Sequence, residues 1–162
     1  MSSARAAGRT PVILSLIFGL ALTIMPLPDT VAAFRPDWLA MLIIFWSMQL
    51  PRTWSVGAAW IVGIVLDVSQ GTLLGQHALA LCCVAFITVR LHLLMRVFPV
   101  PQLTVTVLPI LAIYQFLLFW INGVAGVDAP ANVYWGPVIS STLIWPIVML
   151  LLSSLVHRNR FG

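Results

Sequence analysis

Residues 63–75 read GIVLDVSQGTLLG. Asp67 is one of four acidic residues in a chain of 162, and the one that lies inside an apolar run, with glycines before and after it. An ionised side chain at the centre of a spanning helix costs about 2.5–3.5 kcal/mol on insertion scales, so it must face a protein interior, a wet cavity or a partner. Whether the run is a membrane span therefore decides both the fold and the use of the carboxylate.

Composition answers the first question. The chain is 61% hydrophobic and 7% charged, with a mean hydropathy of +1.07. A soluble domain carries about 25% charged residues, so the sequence predicts an all-α integral membrane protein with no room for a separate soluble domain. The net charge of +4 comes from eight arginines and four aspartates, without lysine or glutamate. These arginines are scattered, with no basic patch or motif for nucleic acid.

Apolar runs divide the chain into six predicted spans at 11–26, 36–50, 54–70, 73–95, 102–122 and 134–156. Residues 1–10 and 157–162 remain as tails of a single six-helix membrane domain. The second span is short and needs tilt or bilayer thinning to cross. If the spans alternate, Arg5, Arg9, Arg52, Arg90, Arg96, Arg158 and Arg160 share one side. The other side receives Asp29, Arg35, Asp37 and Asp128. That asymmetry places both termini in the cytoplasm. A signal peptide cleaved after Val31-Ala32-Ala33 is a competing reading of the first span, and charge does not separate the two. Trp38, Trp54, Trp120 and Trp135 fall at predicted span ends, as interfacial anchors do.

Little in the sequence suggests chemistry. There is no GxSxG or HExxH motif, no phosphate loop and no lysine. A two-aspartate site would need a second acid within the membrane, and none is predicted. His77, His92 and His157 sit near span ends. The adjacent Cys82 and Cys83 read as small apolar helix residues, because neighbouring cysteines join poorly. No catalytic, metal or cofactor site is expected.

Counting by fours through the third span gives Ser55, Ala59, Gly63, Asp67, Gly71 and Gly75, a stripe of small residues that lets a second helix approach closely. Gly71 and Gly75 have an alternative use in the turn to the fourth span, where positive φ is often needed. Gln115, Ser140, Ser141, Thr142 and Thr23 reach a similar depth, which predicts a polar layer in the outer half of the bundle, centred on Asp67. Three uses of Asp67 stay open: a knot between helices, a contact for another protein's membrane helix, or a ligand or proton site. Pro109 and Pro146 are expected to kink or weaken their helices.

FRPDWLAMLIIFW at 34–46, GIVLDVSQGTLLGQHALA at 63–80 and LIWPIVMLL at 143–151 together resemble the bacterial rod shape-determining protein MreD family over essentially the whole chain. The resemblance singles out Arg35, Pro36 and Asp37, the Gly63/Asp67/Gly71/Gly75 stretch, and Trp145 with Pro146. Along with Gln115 from the polar layer, these are the expected structural or partner-binding residues. It implies a non-enzymatic scaffold in the bacterial cytoplasmic (inner) membrane, supporting lateral peptidoglycan synthesis and rod shape within the elongation (Rod) complex. The implied partners are an MreC-like protein with a single span, a RodA-type SEDS glycosyltransferase, a class B penicillin-binding transpeptidase and, less directly, the MreB filament. The family's six helices are also likened to the substrate-binding subunits of energy-coupling-factor (ECF) transporters, which supplies the alternative of a vitamin-type uptake subunit. Such subunits carry AxxxA in their first helix, and PVILSLIFGLALTIM at 11–25 has none.

Overall fold

A computed structural model describes residues 3–51, 56–127, 130 and 132–158; side chains are described from Thr10 on, without those of Asn132, His157 and Arg158. Arg52, Trp54, Ser55, Asp128 and Arg160 lie outside the described residues, as do the side chains of Arg5, Arg9, His157 and Arg158. The described chain is all-helical: α1 (Ser3–Ile24), α2 (Asp29–Ala32), α3 (Trp38–Gln49), α4 (Val56–Gln70), α5 (Gln76–Val97), α6 (Val100–Val124) and α7 (Asn132–Arg158). Among the described residues, three helical segments are long and apolar enough to cross a membrane: Gln76–Val97, Val100–Val124 and Val133–Val156. Thr10–Ile24, Trp38–Gln49 and Val56–Gln70 are shorter apolar helices.

Two differences from the sequence reading lie at the start of the chain. Residues 3–10, expected as a tail, are the first turns of α1, where SARAAGR contains mostly good helix formers. The single turn α2 was not anticipated; it folds the connection between α1 and α3 back against α7. A Cβ on Gly136 of α7 would lie 2.1 Å from the carbonyl oxygen of Ala33, so only a glycine admits that approach. α6 and α7 continue through Pro109 and Pro146.

Helix α3 is the hub. It is apolar on every face, the pattern of a helix surrounded by protein, and every residue from Leu39 to Met48 is buried. It packs against α1, α5, α6 and α7. Trp46 donates its indole N–H to Ser15 Oγ at 2.8 Å, and Leu42 occupies the space where Gly19 has no side chain. Like any helix, α3 leaves its last carbonyls without partners of its own. At its carboxyl end Arg96 of α5 donates Nε to the Met48 carbonyl at 3.0 Å and Nη2 to that of Gln49 at 2.5 Å. Arg35 does the same for α1, donating to the carbonyls of Thr23 and Met25. A cation suits these ends because it pairs orphan carbonyls and opposes the negative end of the helix dipole. Arg96→Ala is accordingly expected to lower stability by about 1–2 kcal/mol, read as a reduced melting temperature in detergent, with lysine restoring part of the loss.

Candidate functional site

Helix α4 ends in a turn built around its own last residues. Gly71 has φ +64°, and the Thr72 N–H bonds the Asp67 carbonyl at 3.1 Å. This is the left-handed glycine and six-to-one bond of a Schellman stop. Gly75, with φ +98°, then starts α5. Gly71 and Gly75 thus lie outside α4 and belong to the turn, so the stripe of small residues stops at Asp67. Within the helix it holds Ala59, Gly63 and Asp67, all buried.

The turn folds the amino terminus of α5 back onto the Asp67 side chain. Asp67 Oδ2 accepts the N–H of Gly75 at 2.8 Å and that of Ala78 at 3.4 Å. Its Oδ1 accepts the N–H of His77 at 3.0 Å and the Thr72 hydroxyl at 3.0 Å, and lies 2.7 Å from His77 Nδ1. The first amides of a helix have no partner of their own. A side-chain oxygen at the N-cap normally takes those of the second and third residues. Here the N-cap is glycine, which has no side chain, and a carboxylate from the preceding helix supplies the oxygens. Its negative charge also suits the positive end of the α5 dipole. With Nδ1 donating to a carboxylate, the neutral His77 tautomer keeps Nε2 as an acceptor.

The reach of Asp67 depends on Gly63, one turn earlier on the same face. A Cβ there would lie 2.2 Å from Ala78 Cα, 2.5 Å from Ala78 N and 2.9 Å from the His77 carbonyl carbon. The backbones of α4 and α5 touch at that point, as small residues permit between membrane helices.

The expected polar layer is present in part, and it is not centred on Asp67. Gln115 Nε2 donates to Asp37 Oδ2 at 2.7 Å, and the Asp37 N–H donates to Ser141 Oγ at 2.7 Å. Asp37, placed by the Arg35–Pro36 turn at the N-cap of α3 without capping it, therefore ties α3 to α6 and α7. Ser140 and Thr142 bond carbonyls of their own helix, as does Thr23. Two separate acid-centred knots result, one between adjacent helices and one across the bundle. The sequence reading passed over this second acid within the bundle because Asp37 sits at a span boundary.

The remaining expected residues are dispersed. Trp145 is completely buried and its indole nitrogen has no partner among the described residues; Pro146 beside it is half-buried. Trp120 and Trp135 are exposed and Trp38 is half-buried. Cys82 and Cys83 are unpaired. No group of three or more His, Cys, Asp or Glu side chains able to hold a metal occurs among the described residues.

Two concavities flank α3. A polar cavity of about 310 Å³ opens at the end of the bundle away from the chain termini, with Arg35, Asp37, Gln76, His77, Tyr114 and Gln115 in its walls. An apolar groove of about 900 Å³ runs between α1 and α7, walled by Leu14, Phe18 and Leu22 on one side and Leu151, Leu152 and Leu155 on the other. Trp38 and Leu42 of α3 form its floor.

The family model for rod shape-determining protein MreD matches residues 5–155. The chain is 24% identical over 145 residues to the rod shape-determining protein MreD of Haemophilus influenzae, covering 88% of each protein. No solved structure matches it.

Proposed function

The chain belongs to the MreD family of rod shape-determining proteins, and from that premise we propose that it is a non-enzymatic scaffold that seats the single membrane helix of an MreC-like partner in the groove between α1 and α7. In this reading α1 and α3 to α7 are the six spans, with both termini cytoplasmic. The complex so formed supports lateral peptidoglycan synthesis beside the RodA-type glycosyltransferase and the class B transpeptidase.

The observation that carries the proposal is the groove itself. It is predominantly apolar, with Thr10, Ser15 and Ser154 as the hydroxyl-bearing residues of its lining, it lies between the first and last helices of the bundle, and α3 closes it from behind. Association within lipid relies on close packing, because lipid tails are as apolar as the helices they surround. A concave apolar seat offers a helix more packing than a convex face. The buried side of α4 is already occupied by α5, and Asp67 is enclosed by its five contacts. That leaves no free acid-centred surface there for a partner. Nothing in the comparisons favours the transporter-subunit alternative.

Leu14→Trp and Leu151→Trp fill the groove from residues that are each 61% exposed, without touching the core. Both variants are expected to reach the membrane at wild-type levels, fail to co-purify the MreC-like partner in detergent, and leave cells rounded. Undiminished co-purification by both variants would overturn the groove assignment. Failure of the wild type to retain the partner would overturn the scaffold reading.

A further inference from the structure

The polar cavity contains groups that helix packing does not explain. Tyr114 is 3% exposed and Gln76 is 5% exposed, yet neither the phenol nor the side-chain amide forms a hydrogen bond among the described residues. Among the described residues, the side-chain polar atoms enclosed without a partner are Arg35 Nε and Trp145 Nε1, so the phenol and the amide retain access to open space. Their shared feature is the cavity, whose volume of about 310 Å³ falls at the lower end of the 300–1,000 Å³ of ligand pockets.

The walls offer an acidic group as well as donors and neutral acceptors. Both terminal nitrogens of the Arg35 guanidinium are held by main-chain carbonyls of Thr23 and Met25, while its Nε is buried without a partner among the described residues. The Asp37 carboxylate, by contrast, uses Oδ2 for Gln115 and leaves Oδ1 without a hydrogen bond among the described residues. His77 directs Nδ1 to Asp67, so in the neutral ring Nε2 is an acceptor. The Tyr114 oxygen and the Gln76 amide oxygen add two more acceptors. The cavity thus offers an uncommitted carboxylate oxygen and several neutral acceptors, while both terminal nitrogens of its arginine are engaged.

We propose that this cavity binds a primary ammonium group, with Asp37 Oδ1 as its charge partner and His77 Nε2, the Tyr114 oxygen and the Gln76 amide oxygen as further acceptors. An ammonium has three donors and no acceptor, which matches this set. A carboxylate or phosphate would meet the Asp37 oxygen with like charge. The volume admits a group of about the size of ethanolamine, so the ammonium belongs either to a free small amine or to an aminophospholipid headgroup entering from the open end.

The test uses the full-length protein, with intrinsic tryptophan fluorescence as the readout because Trp38 lines the cavity. Ethanolamine and alaninamide are titrated in detergent beside propionamide and propionate. Nanodiscs of phosphatidylethanolamine are compared with nanodiscs of phosphatidylglycerol by melting temperature. A saturable response to the free amines, absent with propionamide and propionate, identifies a small-amine site. A stabilisation in phosphatidylethanolamine alone identifies the headgroup. In either arm Tyr114→Phe and Asp37→Asn should weaken the response by about tenfold or more, the effect of losing a buried hydrogen bond to a charged group. If Asp37→Asn does not fold, Tyr114→Phe decides, since it keeps the ring and removes one oxygen. No response in either arm, an equal response to propionate, or a response unchanged in every folded variant would overturn the proposal.

Discussion

Gly63→Ala is expected to remove the protein from the membrane almost completely, although it adds a single methyl group. The new Cβ would lie 2.2 Å from Ala78 Cα and 2.5 Å from Ala78 N. Both are backbone atoms, so no change of rotamer relieves the contact; α4 and α5 would have to separate. Ordinary overpacking of a core costs about 1–3 kcal/mol, and a clash against backbone should exceed that range. Separation would also pull Asp67 away from the amides of Gly75, His77 and Ala78, adding the loss of a helix cap. Two controls isolate the cause. Ala78→Gly should not rescue the variant, because the clash is with the backbone of residue 78 and not with its methyl. Gly123→Ala in α6 has nothing within 4 Å of its new Cβ and should be neutral or stabilising by about 0.5–1 kcal/mol, the usual gain of alanine over glycine in a helix. Immunoblots of membrane fractions and melting temperatures in detergent measure all three. Wild-type levels of Gly63→Ala would show that the two helices do not touch at this point.

The same region shows what could be read from the sequence and what could not. The all-helical class followed from composition. The four-residue spacing of Gly63, Asp67, Gly71 and Gly75 suggested one continuous face, yet the positive φ at Gly71 stops the helix after Gln70. A signal for that stop was present in the sequence: a glycine directly after the last apolar-periodic residues is a helix terminator. The partners of the charged residues were not legible. Arg96 and Arg35 were counted for the sidedness of loops, a property of charge alone. Their use as caps depends on which helix end lies beside them once α3 is surrounded. The Asp37–Gln115 bond joins residues 78 positions apart, and equal depth in a bilayer does not specify which neighbours face each other. Depth grouped Asp67 with Gln115, but the structure gives them to different knots.

Asp67→Leu is expected to be as damaging as Gly63→Ala, for a different physical reason, and comparison with asparagine separates the elements of the site. Asp67 receives the N–H groups of Gly75, His77 and Ala78, the Thr72 hydroxyl and His77 Nδ1. Leucine has similar bulk but accepts nothing, so the amides of half-buried Gly75 and of buried His77 and Ala78 would lose their acceptor. Each unsatisfied buried donor costs about 1–3 kcal/mol. With several donors orphaned together, the loss should approach the whole stability of a typical domain, about 5–15 kcal/mol. Asparagine keeps one oxygen and presents an NH₂ group to donors on the other side, so Asp67→Asn should accumulate at a lower level instead of vanishing. Thr72→Val removes one neutral donor and leaves the carboxylate with its other partners; about 1 kcal/mol is expected. The predicted order of membrane levels is therefore wild type, Thr72→Val, Asp67→Asn, Asp67→Leu. In this order the proposed MreC-like partner should follow the amount of folded protein, with the same quantity captured per folded molecule in each surviving variant. A variant of Asp67 that reaches normal levels but loses the partner would move this carboxylate from the bundle interior to the interface, and the cap on α5 would then not be its function.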